Sequence, residues 1–220
     1  MAGSVLKVAP PALPQGTQTY FQTYQDQLNN VQRLFYNRLT SSFNALIDTE
    51  AGAGSLYTPY GAYSRLTDFN FAAINTPTVV PLDTVDFSSY TSLHPGGGIQ
   101  ATKKGIYNYQ FSVQAVNTNN QIHALWLWLR VNGFDVPNSA SKYNIISRHG
   151  GGDGYVICVC NVFVQLAPDD YVELVGAADA IETAGTDGIY FEAYAPQVAP
   201  FVMPAIPSVI STLSFVSNYT

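Results

Sequence analysis

The stretch that decides the fold is Gly105-Ile-Tyr-Asn-Tyr-Gln-Phe-Ser-Val-Gln-Ala-Val116, where apolar side chains recur at every second position. Successive side chains of a β-strand point to opposite faces, so this alternation predicts a strand with one buried face. Tyr107, Tyr109 and Phe111 fall on that face and are expected to lie in the core or at a contact between subunits. The segment therefore belongs to a β-sheet.

The same period of two continues on both sides of this stretch, from about residue 57 onward. Turn signals such as Asn117-Thr-Asn-Asn120, Asn132-Gly133 and Pro168-Asp-Asp170 separate the strand-like runs. The other predicted strands are 122–131, 155–166, 171–175, 189–194 and 208–216. Many short strands with no helical window after residue 50 predict a mainly β, antiparallel sandwich over 57–220.

The segment before the sandwich has a different period. Its apolar residues recur three or four positions apart, which predicts an amphipathic helix over residues 19–50. The residues of this stripe are Phe21, Tyr24, Leu28, Val31, Phe35, Leu39, Phe43 and Leu46. The stripe could pack on its own domain or on other copies, and the glycine-rich link at 51–56 favours a trimerisation or docking base. Residues 1–18, with Pro10, Pro11 and Pro14, are expected to form an extended arm.

The composition limits the partners of the chain. Only 11% of the residues are charged, against about 25% in typical soluble domains, so much of the surface is expected to lie against something. The net charge of -6 argues against nucleic acid, whose binding rests on Lys and Arg. No apolar run is long enough to insert in a membrane, and prolines stand where a signal peptide would be apolar.

No residue pattern indicates an enzyme or a metal site. His94, His123 and His149 are far apart in sequence, and neither glycine run continues into Gly-Lys-Ser/Thr and a helix. Cys158 and Cys160 fall two apart in a predicted strand, where they share a face and cannot easily form a disulfide. We expect packed thiols, assembly in a reducing cytoplasm, and no catalytic residues or cofactor.

Three motifs in order resemble a known superfamily. They are Gly105-Ile-Tyr-Asn-Tyr-Gln-Phe111, Trp128-Leu-Arg-Val-Asn-Gly133 and Val162-Phe-Val-Gln-Leu-Ala-Pro-Asp-Asp-Tyr-Val-Glu-Leu174. The series looks like the globular head of the complement and tumour-necrosis-factor superfamily. That resemblance implies a jelly-roll sandwich of about ten strands in two sheets, which forms trimers.

A narrower resemblance, over roughly residues 57–217, is to virion structural proteins of tailed phages that carry this head. The matching segments are Tyr60-Gly-Ala-Tyr63, Ala73-Ile-Asn-Thr76, Trp128-Leu-Arg, Asn132-Gly-Phe-Asp-Val-Pro-Asn-Ser139 and Pro200-Phe-Val-Met-Pro-Ala-Ile-Pro-Ser-Val-Ile210. The resemblance implies a homotrimeric knob on a virion, made in the host cytoplasm and bound to capsid or tail proteins.

The resemblance also implies residue roles. The last strand and aromatic central strands would line the threefold contact. The residues expected in the core or at that contact are Tyr107, Tyr109, Phe111, Trp126, Trp128, Phe163, Val209 and Phe215. Trp126 and Trp128 share one strand face, so a sugar platform is the alternative for these two. Some members hold Ca²⁺ near the axis, yet the loop residues Asp153, Asp169, Asp170 and Asp187 fit turns better.

Two functions follow from these observations. The first is a head-decoration or fibre-type structural part, anchored to the particle by its arm and helix. The alternative is an adhesin at a tail-fibre tip that binds a host receptor or surface glycan through its loops. The candidate recognition residues in those loops are His94, Asn119, His149 and Asp153.

Overall fold

The chain divides near residue 57 into a helical unit, Met1–Leu56, and a β unit, Tyr57–Thr220. The computed structural model describes residues 11–13, 19, 21–47 and 58–218. The predicted arm, apart from 11–13, and the predicted link at 51–56 lie outside the described residues. The side chain of Leu46 lies outside them too.

The predicted helix is confirmed as α1, Gln22–Ile47. It begins where the Phe21 carbonyl accepts hydrogen bonds from the backbone N–H groups of Tyr24 and Gln25. The described stripe side chains between Tyr24 and Leu39 are half-buried, while Phe21 and Phe43 are exposed.

Fourteen strands form over residues 58–218. They are β1 Tyr60–Arg65, β2 Phe69–Asn70, β3 Thr78–Val79, β4 Thr84–Ser89, β5 Thr91–Leu93, β6 Ile99–Ala101, β7 Gly105–Asn117, β8 His123–Val131, β9 Phe134–Asp135, β10 Ser141–Ile145, β11 Gly154–Leu166, β12 Tyr171–Ala178, β13 Ile189–Phe191 and β14 Val209–Ser217. The count exceeds the expected ten because six strands are pairings of only two or three residues.

The strands form two antiparallel sheets, which confirms the predicted jelly-roll sandwich. Sheet A has the order β11-β7-β14-β1-β4, with β13 beside the end of β7 and β2 beside β13. Sheet B has the order β10-β8-β12-β6-β5, with β3 also on β12 and β9 on β8. The pairing of β7 with β11 is unbroken. It runs from Gly105 opposite Leu166 to Asn117 opposite Gly154.

The core lies between the two sheets. Sheet A contributes the alternate side chains of β7 from Tyr107 to Ala115, and sheet B contributes Leu125, Leu127 and Leu129 of β8. One part of the core is an aromatic cluster of Phe69, Phe71 and Phe191, whose ring centroids are 5.1 to 5.4 Å apart. These inward positions follow the predicted alternation.

The residue types at the turns and strand ends explain their backbone geometry. Asn132 and Gly133 both have positive φ, 51° and 81°, as the predicted type I′ turn requires. The predicted strand 189–194 ends early at Phe191 because the Ala193 N–H donates to the Asp68 carboxylate, at 2.8 Å, instead of a neighbouring strand. The last strand ends within a residue of its predicted limits.

Candidate functional site

The outer face of β11 carries a row of exposed apolar side chains. Tyr155, Ile157, Val159 and Phe163 are 51%, 59%, 59% and 62% exposed. The row spans on the order of 27 Å, since a strand rises about 3.4 Å per residue. The exposed Asn161 interrupts the row between Val159 and Phe163. An exposed apolar surface of this kind is a candidate interaction surface.

A shallow groove lies beside the row, between β11, β7 and β14. Its volume is about 410 Å³, and its lining includes Gln110, Ser112, Val159, Asn161, Ile210 and Thr212. Polar side chains contribute to this lining, but most of its surface is apolar, with Val159 and Ile210 among the contributors. The outer face of sheet A therefore presents an apolar ridge next to a recess.

Strand β11 is also the edge of sheet A. It pairs with β7, and within residues 58–218 no strand pairs with its other side. The Tyr143 hydroxyl donates to the Val159 carbonyl at 2.7 Å and so covers one backbone group. Natural proteins usually shorten, charge or cover an edge, and this edge is thirteen residues long and apolar.

A second recess lies on the outer face of sheet B. Its volume is about 510 Å³, and it is lined by Asn75, Trp126, Trp128, Asp135, Val136, Ala140 and Ala177. Trp128 Nε1 donates to Asp135 Oδ1 at 2.7 Å, and Arg130 Nε donates to the same oxygen at 2.6 Å. These two donors hold the pKa of Asp135 below its usual range.

The residues predicted for the core or the trimer contact separate into two groups. Tyr107, Tyr109, Phe111 and Val209 are buried in the core, and Phe215 packs edge-on against Tyr107 with ring centroids 5.6 Å apart.

Trp126, Trp128 and Phe163 are not in the core. Leu125, Leu127 and Leu129 take the inner face of β8, so both indoles point outward and are half-buried. Phe163 likewise lies on the outer face of β11. For these three residues a subunit contact stays a prediction, and the sugar platform stays open for the tryptophans.

The predicted recognition residues do not form one site. Asn119 lies beside the 148–154 loop, where its carbonyl accepts from the Arg148 N–H at 2.8 Å, and His149 pairs with Gly152 in that loop. His94 instead stacks on Tyr171, with ring centroids 3.8 Å apart, at the start of β12. The Asn119 loop leads into the start of β8, which lies at the other end of β12, where the Asp179 N–H donates to the Ala124 carbonyl at 3.1 Å. His94 is therefore separated from the other loops.

Among the candidate calcium carboxylates, Asp170 has local partners. Asp170 Oδ2 accepts from the Ala167 N–H and its Oδ1 accepts from Asn132 Nδ2, each at 2.7 Å, which is a turn-stabilising arrangement. Among the described residues no three His, Cys, Asp or Glu side chains gather as metal ligands. The Ca²⁺ expectation stays untested.

Both cysteines face inward from β11 and are free thiols. Cys158 is buried, and burial raises the pKa of its thiol to about 12. Cys160 is half-buried, with its Sγ 3.6 Å from Ser141 Oγ. Two thiols packed in this way form part of the protein interior.

The sequence reasoning missed the residues that complete the tryptophan recess. Asp135 follows the Asn132-Gly133 turn, and that hairpin brings it back beside Arg130. The Asn132-Gly133 turn could have predicted this pairing, since a two-residue hairpin loop fixes which residues of the two strands lie opposite each other. Asn75 and Ala177 come from other parts of the chain and had no sequence signal.

No protein-family model and no curated protein matches the chain. Among solved structures, it is similar to the structure of Eiger TNF from S. frugiperda, with a TM-score of 0.45 and 11% identity. The similarity covers 74% of this chain and 96% of that one. Among the described residues, no helix is both long and apolar enough to cross a membrane.

Proposed function

We propose that this protein is a non-enzymatic virion structural protein of a tailed phage. Three copies form a jelly-roll knob of the head-decoration or fibre type. The arm and the helix of each copy anchor the knob to capsid or tail proteins of the particle. The protein is made in the host cytoplasm and resides in the virion.

The apolar row on the open edge strand β11 is the observation that carries the trimer proposal. Burial of a large apolar side chain contributes about 1.5–3 kcal/mol, so covering Ile157, Val159 and Phe163 gives substantial driving force for association. The unpaired backbone groups lie along the side of the same strand, so a copy of this chain that packs on the row and extends past β11 covers the edge in the same contact.

The ridge and the groove share Val159, so they are two parts of one surface. Contact of this surface between copies is either isologous, which gives a twofold dimer, or heterologous, which closes into a ring when the rotation allows it. The number three comes from the resemblance in the sequence.

The helix supports the anchoring part of the proposal. Its accessible stripe from Tyr24 to Phe43 needs a surface to cover it, and three linked copies bind a lattice more tightly than one. Low overall charge agrees with a chain whose surfaces are largely in contact with other proteins.

Imaging of purified phage particles tests the location. Gold-labelled antibody raised against the full chain should decorate intact particles at regular positions on the head or the tail. Particles that lack label, together with label confined to unassembled protein, would refute the virion assignment.

The second function kept open is an adhesin for a host-surface glycan. The recess with two outward indoles on sheet B favours it, because such rings can stack on sugars. Removal of residues 1–50 separates the two functions. The structural role predicts loss of particle attachment, whereas the adhesin role predicts that cell or glycan binding persists.

A further inference from the structure

We propose that the recess between Trp126 and Trp128 binds a neutral pyranose ring of a glycan. This inference deepens the adhesin function and does not depend on the trimer. The loops that carry His94, Asn119, His149 and Asp153 are not required for it.

The recess is shallow and open, and it has room for a sugar ring lying across the two indoles. The two indoles stand two residues apart on the same face of β8, about 7 Å along the strand. Small side chains lie beside them, since Ala177 pairs with Trp126 and Ala140 immediately precedes β10. The volume of about 510 Å³ is within the roughly 300–1,000 Å³ of small-molecule sites.

Hydrogen bonds and charges hold the two rings in place. The Trp128 indole is tied to Asp135, which is itself tied to Arg130. Lys142 Nζ lies 5.3 Å from the Trp126 ring centroid and supports that ring from the neighbouring strand β10. Pre-oriented rings lose little freedom when a ligand stacks on them.

The polar groups of the recess suit hydroxyls better than a charged ligand. Arg130 already neutralises the Asp135 carboxylate, and the Lys142 ammonium lies over the Trp126 ring and is not among the residues that line the recess. Within the described part of the chain, Asp135 Oδ2 and the Asn75 side-chain amide make no hydrogen bond. The carboxylate oxygen can accept a hydrogen bond from a sugar hydroxyl, and the amide nitrogen can donate one. Apolar ring faces with a few polar groups at the rim match the C–H face and the hydroxyl edge of a pyranose.

Intrinsic fluorescence gives a direct test, because both tryptophans of the chain line this recess. The full chain is first screened on an array of immobilised neutral glycans. It is then titrated with free methyl glycosides of glucose, galactose, mannose and N-acetylglucosamine, and with lactose and cellobiose. We expect a saturable change in tryptophan emission with at least one sugar in the millimolar range.

Two variants locate the site. Ala140→Leu fills the recess from an exposed position and keeps both tryptophans. Trp128→Phe replaces the indole with a smaller ring and removes the N–H donor to Asp135, while Trp126 still reports. Each should weaken sugar binding by about tenfold or more, equivalent to 1.4 kcal/mol. Phe201→Ala, at a residue that is 60% exposed and outside the recess lining, should bind like the parent. Thermal melting confirms that each variant is folded.

Two results would overturn the inference. One is the absence of any saturable response, with no neutral glycan bound on the array. The other is sugar binding that Ala140→Leu and Trp128→Phe leave unchanged, which places the glycan elsewhere and leaves the adhesin function intact. Neither result alters the mass of the assembly, so trimer formation is judged separately.

Discussion

The Tyr109 hydroxyl on β7 donates a 3.0 Å hydrogen bond to Ser211 Oγ on β14, and both side chains are fully buried. Burial raises the pKa of Tyr109 well above its usual range, so the phenol stays neutral and remains a donor. The bond links the last strand of the chain to the central strand of sheet A. The two strands are far apart in sequence and depend on each other for this contact.

Loss of this bond should be measurable as a loss of stability. Tyr109→Phe removes the hydroxyl without opening a large cavity, and Ser211 Oγ then lacks this hydrogen-bond donor. We therefore expect the free energy of unfolding to fall by about 0.5–1.5 kcal/mol. Urea denaturation measures the change. Tyr60→Phe, at an exposed tyrosine, should change the same quantity by less than about 0.5 kcal/mol. Equal effects of the two substitutions would contradict the account.

A pair of glycine substitutions tests the close packing of the loop before β13. A Cβ on Gly188 would lie 2.3 to 2.5 Å from backbone atoms of Ile181, whereas a Cβ on Gly152 would have no atom nearer than 3.8 Å. Gly188→Ala should therefore destabilise the fold by several kcal/mol, on the order of the largest point-mutant effects. Gly152→Ala should leave the melting temperature nearly unchanged. A Gly188→Ala variant as stable as the parent would contradict this packing.

The two thiols should differ in reactivity. Burial raises the pKa of Cys158 to about 12, so its thiolate is scarce at pH 8, while Cys160 is only half-buried. Ellman's reagent on the native protein should label at most one thiol quickly. Cys160→Ser should abolish that fast phase, and Cys158→Ser should leave it. Fast labelling of both thiols before denaturation would be inconsistent with the fold.

Glu173 should make the stability of the fold depend on pH. Its side chain is buried, which raises its pKa, although the charges of His94 and Arg130 act in the opposite direction. A carboxyl whose pKa is higher in the folded state stabilises that state while protonated, and this contribution falls as pH rises above about 4.3.

Glu173→Gln removes the cost of burying the ionised carboxylate. The variant should unfold at a higher temperature than the parent at pH 7, and the difference should shrink as the pH is lowered toward 4. Melting curves over that range measure it. A difference that grows at low pH would show that the ionised form is the stabilising one.

The alternation of apolar side chains was enough to predict the sandwich. It worked best for Gly105–Asn117, where every outward residue up to Gln114 except Ile106 is polar and only one face can be buried. It was weaker for 122–131 and 155–166, because both faces of those strands are apolar. Sequence alone left open whether Trp126 and Phe163 or their neighbours would point inward.

The candidate surfaces depend on contacts that are distant in sequence. The groove beside β11 needs β14, and the tryptophan recess needs Asn75 and Ala177 from other parts of the chain. The candidate recognition loops lie in different parts of the sandwich, and the sequence did not show this because loop composition does not say which end of the sandwich a loop occupies. His94 and Asn119 illustrate this, since both lie in polar turns and occupy opposite ends.

The mass of the full chain in solution tests the central proposal most directly. Sedimentation equilibrium at micromolar concentration should give three times 23.9 kDa, and Phe163→Asp should shift the mass toward a single chain. Phe134→Asp, at an aromatic residue that is 80% exposed in sheet B, should leave the trimer intact. A parent protein that sediments as a folded single chain would contradict the account.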